Sequence, residues 1–184
     1  NTDEMIEKII DDLGPDSLMV LINAISFDAE WERKYNGDDV KDISFTSYTG
    51  KKHSVKGMYG SEYAYLEDDN TTGFIKNYKD GYSFVALLPN EDVSIDEYVN
   101  SLTGEKFTNL INGCQSTLTY TMIPKFKYEY NIKLNNALYS MGLKDMFNPT
   151  AANFGEMVEY DYGNMYVGEV LHKTFIEMGE KGTR

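Results

Sequence analysis

His172, with Ser26 or Ser83 and any of the 30 acidic side chains, is a set from which a charge-relay hydrolase could be drawn in this 184-residue sequence. A nucleophilic serine needs an imidazole within hydrogen-bond reach and a third group to orient that imidazole. Neither serine stands in the Gly-x-Ser-x-Gly turn that lifts such a nucleophile clear of a sheet, and His172 falls inside GEVLHKTFIEM, which reads as strand interior. The chain is read as a non-enzyme. Cys114 is the single cysteine, which excludes an intrachain disulfide and a cysteine-based zinc site; it is expected to be a buried bystander. Asp38-Asp39, Glu67-Asp68-Asp69 and Glu91-Asp92 lack the spaced oxygens and turn glycine of a calcium loop and read as solvated turns. His53, in Lys-Lys-His, reads as a surface turn residue, and no cofactor is expected.

Two polar residues interrupt otherwise apolar runs. Asn23 lies in SLMVLINAISFDAEW and His172 in the last apolar stretch. Taken alone, each is a core polar group satisfied by a neighbouring backbone. The chain then ends in FIEMGEKGTR, an alternating segment that passes into Gly-Lys-Gly-Thr chemistry.

The elements that must position these residues follow from composition and pattern. An apolar fraction of 41% with 14% aromatics specifies a folded chain, and fifteen Tyr and nine Phe favour strands over helices. A net charge of -13, with basic residues scattered, argues against a nucleic-acid or anionic-lipid partner. No run reaches the length of a membrane helix, and no signal peptide is seen. Residues 2–13 carry a helical stripe closed by Gly14-Pro15, and 17–31 read as a long strand covered on both faces. From Lys41 to Pro89, short apolar segments alternate with turn signals as an antiparallel meander. Ser94 and Glu97 have capping-box spacing, so a helix starts there, and Thr103-Gly104-Glu105 opens a second that ends near Asn112-Gly113. In TLTYTMIPKFKYEY, Pro124 forces a bend or a change of sheet. Leu134, Leu138 and Met141 mark a helix stopped by Gly142, and a last strand runs over MYVGEVLHKTFIEMGE. No repeat or linker divides the chain.

Four stretches, in this order, carry a resemblance to the serpin family of protease inhibitors: LMVLINAISFDAEW, YSFVALLPNEDVSIDEYVNSLTGEKF, MIPKFKYEYNIKLNNALYSMGLKDMFNPTAANF and VGEVLHKTFIEMGEKGT. The resemblance implies an α+β serpin fold with mixed sheets A, B and C and packed helices. The chain would run from the end of helix F to the reactive-loop hinge, as one domain lacking the N-terminal helices, the reactive loop and the C-terminal strands of sheet B. Residues 17–31 would be strand 3 of sheet A, 165–181 strand 5 and 124–131 strand 6; the 41–89 meander would supply sheets C and B.

The implied function is inhibition of a serine or cysteine endopeptidase. The cleaved reactive loop would insert between strands 3 and 5 and trap the acyl-enzyme. Glu180, Lys181, Gly182, Thr183 and Arg184 map onto the hinge, where Gly182 would supply dihedral freedom. Thr183 would be first into the sheet, and Arg184 would face solvent. Asn23 and His172 map onto the shutter, as a latch across the seam. Trp31, Lys125 and Glu180 map onto the breach, with an expected Lys125–Glu180 ion pair. The resemblance leaves open a non-inhibitory serpin acting as carrier, chaperone or structural protein, and a third reading as an independent binding module. An extracellular setting and a bacterial source are expected, as is pairing with a companion chain or a second copy through open sheet edges.

Overall fold

The computed structural model describes residues 27–157, 161 and 163–184, which form two compact units. The first comprises 27–126 together with 177–184; the second contains 127–176.

In the first unit, strands β1 (Ala29–Glu30), β2 (Val40–Thr46), β3 (Lys52–Glu62), β4 (Tyr65–Asp68), β5 (Thr71–Asn77) and β6 (Ser83–Pro89) precede two helices, α1 (Ile95–Ser101) and α2 (Gly104–Asn112). β7 (Thr119–Pro124) follows. The meander divides into two antiparallel three-stranded sheets, β2-β3-β7 and β4-β5-β6. Strand alternation puts Val40, Met58 and Ile123 at matched register on one face of the first sheet. Met58 and Ile123 join Ala29, Trp31, Tyr35, Tyr78 and Met178 in the buried core, with Val40, Phe74 and Phe84 packed against it. Aromatic burial dominates this core, since each large ring removes roughly 150–250 Å² from water.

The helices start where side chains can satisfy the first free amides. Ser94 Oγ accepts from the Glu97 amide while Glu97 Oε2 accepts from the Ser94 amide, and Thr103 Oγ1 accepts from the Lys106 amide. Leu110 of α2 and Leu66 of β4 are both buried, and α2 packs on β4.

Pro124 closes β7 opposite Gly57, and the next residue but one begins β8 (Phe126–Lys133), which belongs to a different sheet. β8 lies beside β9 (Leu171–Met178), of which residues 171–176 belong to the second unit and 177–178 to the first. Helix α3 (Asn135–Ser140) is followed by Gly142 at φ 102°, a left-handed turn that favours glycine. β9 is shorter than the 165–181 expected: 165–170 is not strand, and Asn135 takes part of its bonding by donating to Gly168 O and accepting from the Val170 amide. β10 (Gly182–Thr183) completes the chain.

Two surface expectations are corrected. His53 is exposed but stands within β3, opposite Phe45; the turn comes earlier, around Gly50 at φ 79°. Cys114 is exposed, just past α2, where its amide donates to the carbonyl of Ile111. The helix expected over 2–13 and most of the strand over 17–31 lie outside the described residues; of the latter, Ala29–Glu30 is strand.

Candidate functional site

The cluster around residues 179–184 lies wholly in the first unit and is built by the chain reversing on itself. After Met178 the backbone turns over 179–181 and returns antiparallel as β10, with Thr183 opposite Met178. On its other side β10 pairs antiparallel with β1, Ala29 opposite Thr183 and Glu30 opposite Gly182. Gly182–Thr183 therefore sits as a strand between β1 and the end of β9. Glu177 and Arg184 exchange backbone hydrogen bonds, the Gly179 amide donates to Gly182 O at 3.0 Å, and the Trp31 amide donates to Lys181 O at 2.9 Å.

Gly182 is required here for space rather than for dihedral freedom. Its φ is not in the left-handed region, but a Cβ at this position would lie 2.0 Å from the carbonyl oxygen of Ala29 and 2.9 Å from Glu30 Cα. Backbone comes this close only where no side chain intervenes.

Thr183 is buried and Arg184 exposed, as strand alternation requires. The Tyr78 hydroxyl donates to Thr183 Oγ1 at 2.7 Å, and burial raises the pKa of that phenol. Trp31 is fully buried and stacks on Tyr78, ring centroids 4.3 Å apart and planes 11° from parallel. Its indole Nε1 donates to Gly179 O at 2.9 Å, which ties the ring to the turn before β10. Lys125 Nζ donates to Glu180 Oε1 at 2.7 Å, and that bond holds the Glu180 carboxyl below its ordinary value. Glu30 accepts from Lys34 and Lys79, and these bonds bring its pKa down to about 2.

A charge network, buried at Lys76 and Glu62, lies beneath the indole. Lys76 Nζ donates to Glu62 Oε1 at 2.8 Å, with the lysine side chain only 4% exposed. Arg33 donates to the other oxygen, Oε2, at 2.6 Å, and to Ser61 O at 2.8 Å. The Lys76 ammonium lies 4.6 Å from the centroid of the Tyr35 ring and 5.4 Å from that of Trp31. Burial, with the charge of Glu62 second, pushes the Tyr35 phenol up to about 12.

Of the residues singled out from the sequence, the fold brings together Trp31, Lys125, Glu180, Lys181, Gly182 and Thr183, with Arg184 at the solvent edge. His172 is an exposed residue of β9, in the second unit, and Asn23 lies outside the described residues. Ser26, considered above for a triad, also lies outside them, and the Ser83 hydroxyl donates to Asn77 Oδ1. No group of three or more potential metal ligands occurs among the described residues. Sequence reasoning missed Tyr78, Tyr35, Lys76, Glu62 and Arg33. One signal was present: in FIKNY, Lys76 alternates with Phe74 and Tyr78, so a cation shares a strand face with two aromatics.

A family model described as Serpin (serine protease inhibitor) matches residues 1–184. The leukocyte elastase inhibitor of Xenopus laevis is 32% identical over 173 residues, covering 90% of this chain and 45% of that protein. The crystal structure of tengpin, a thermophilic serpin, superposes in its native state with a TM-score of 0.91 at 47% identity, covering 100% of this chain and 48% of that one. The latent state of tengpin gives 0.89 at the same identity, covering 99% and 50%. The chain thus spans about half the length of the curated relatives it matches.

Proposed function

The chain belongs to the serpin family, and on that premise we propose that it is the central part of a serpin-type inhibitor of serine or cysteine endopeptidases, acting stoichiometrically rather than as an enzyme. One observation carries the reading: Gly182–Thr183 already lies as an antiparallel strand between β1 and the end of β9. A cleaved loop continuing from Arg184 would extend the strand that these residues begin.

The residues present suit that step. Each further residue entering such a gap gains ladder hydrogen bonds worth about 1 kcal/mol net, so a strand of about ten residues gains on the order of 10 kcal/mol. Burial of an unpaired charge would erase much of that gain, at a cost of several kcal/mol per ion. The inward residue is Thr183, whose hydroxyl is satisfied by Tyr78, while the charged Arg184 points outward. Lys125–Glu180 and the indole bond to Gly179 O hold the turn from which insertion proceeds. Asn23 and His172 are retained as the proposed shutter.

The proposed partner is an endopeptidase met outside the cell. The rest of the polypeptide, or a second copy, is proposed to add at the edge of β6, where Leu88 is 70% exposed. The experiment is to incubate the whole gene product with a panel of serine and cysteine endopeptidases and resolve the products under denaturing conditions. A denaturant-resistant complex of summed mass supports inhibition. Cleavage by every protease without any such complex refutes it and favours the non-inhibitory reading.

A further inference from the structure

The buried cation Lys76 is not explained by the hinge contacts themselves. It touches two rings, Trp31 and Tyr35, and those two residues share a second property. The Trp31 amide donates to Lys181 O at 2.9 Å and the Tyr35 amide to Glu180 O at 3.1 Å. The side chains that meet the ammonium thus belong to the residues whose backbone grips the two hinge carbonyls.

We propose that Lys76, anchored by Glu62 and through it by Arg33, is a positioning residue for the hinge: its ammonium fixes the Trp31 and Tyr35 rings, and so holds the 31–35 segment against Glu180 and Lys181. The elements are independent in sequence. Lys76 comes from β5, Glu62 from the end of β3, and Arg33 from the segment being held. A cation facing aromatic rings away from water is attracted to their electron-rich faces more strongly than one at the surface. The anchoring carboxylate has both oxygens occupied, one by Lys76 and one by Arg33, so the ammonium cannot withdraw without breaking the network. An apolar side chain of similar length at position 76 would fill the space but exert no such pull.

The inference rests on reading 180–184 as a hinge, yet its test needs no protease, so its failure and that of the inhibitory reading are distinguishable. Amide hydrogen exchange is measured on the full gene product and on Lys76→Met, comparing the Trp31 and Tyr35 amides with reference amides in the β5-β6 ladder. At least tenfold faster exchange at Trp31 and Tyr35 than the change at the reference amides supports the proposal. An equal acceleration everywhere shows a purely structural ion pair and overturns it, as does no change. Because removing one partner leaves Glu62 buried and partly unpaired, Lys76→Met can fail to fold. The double variant Lys76→Met with Glu62→Gln then carries the test. It is expected to restore the reference amides while Trp31 and Tyr35 still exchange fast; restoration of all of them would overturn the proposal. Lys56→Met, which removes an exposed partner of Asp42, serves as the control for charge loss alone and is expected to leave both sets unchanged.

Discussion

Replacing Gly182 by alanine puts one methyl group where no atom can yield. The added Cβ would stand 2.0 Å from Ala29 O and 2.9 Å from Ala29 C and Glu30 Cα, all backbone atoms of the neighbouring strand. No rotamer change relieves that overlap, so β1 and β10 must part. Overpacking of this kind costs about 1–3 kcal/mol. Separation also gives up the Trp31 amide bond to Lys181 O, at about 1 kcal/mol. A local penalty of about 2–4 kcal/mol raises the open population of the β1–β10 pairing at least about 30-fold, since each 1.4 kcal/mol is a factor of ten. Trp31 is the sole tryptophan and is fully buried against this turn. The variant should therefore show red-shifted emission and increased quenching by acrylamide. Gly37→Ala, where an added Cβ meets nothing within 4 Å, should leave both unchanged. Unaltered emission and quenching in Gly182→Ala would show that β1 and β10 are not held at this distance, and the steric argument would fail.

Tyr78→Phe leaves the buried Thr183 hydroxyl without the donor it now has, for a loss of about 1–3 kcal/mol in urea unfolding; adding Thr183→Val should recover about 1 kcal/mol of that loss, and strict additivity would deny the coupling. Lys125–Glu180 predicts a pH dependence. The Glu180 pKa is lowered in the folded state, so its contribution is present above the unfolded value near 4.3 and fades as pH falls through the folded one. The pair is about one-third exposed, which limits the effect to about 0–1 kcal/mol. Lys125→Ala should therefore flatten the acid limb of stability below about pH 4.5, measured by denaturant midpoint against pH; an acid limb identical to the parent protein's would remove the pair from the account.

Local chemistry was legible in the sequence where one residue satisfies its near neighbours. Ser94 and Glu97 announce a capping box because both partners lie within one turn, and Pro124 announces a change of sheet because it cannot donate to a ladder. Residues 180–184 were singled out as a candidate hinge through resemblance, from the order of four stretches and before any geometry was known. What stayed hidden is what long-range packing decides. Glu62 meets Arg33 and Lys76 across 29 and 14 residues, and Tyr78 meets Thr183 across 105. No periodicity encodes such pairings. Gly182 was singled out for dihedral freedom, whereas the structure requires it for space, and its neighbour across the ladder is invisible until β1 and β10 are placed. The start of β9 was read too early because VGEV is apolar enough for a strand, while Asn135 binds that segment through side-chain bonds instead.

Trapping by the proposed route requires that the gap begun by Gly182–Thr183 accept more chain. The most direct measurement is the melting temperature of the whole gene product before and after a single cleavage on the C-terminal side of Arg184 by a protease it does not inhibit. Insertion of about ten residues should raise the melting temperature by about 10 °C, given roughly 1 kcal/mol per added ladder bond and on the order of 1 °C per kcal/mol for a chain of about twice this length. A cleaved protein that melts at the same temperature as the intact one, or lower, would contradict it.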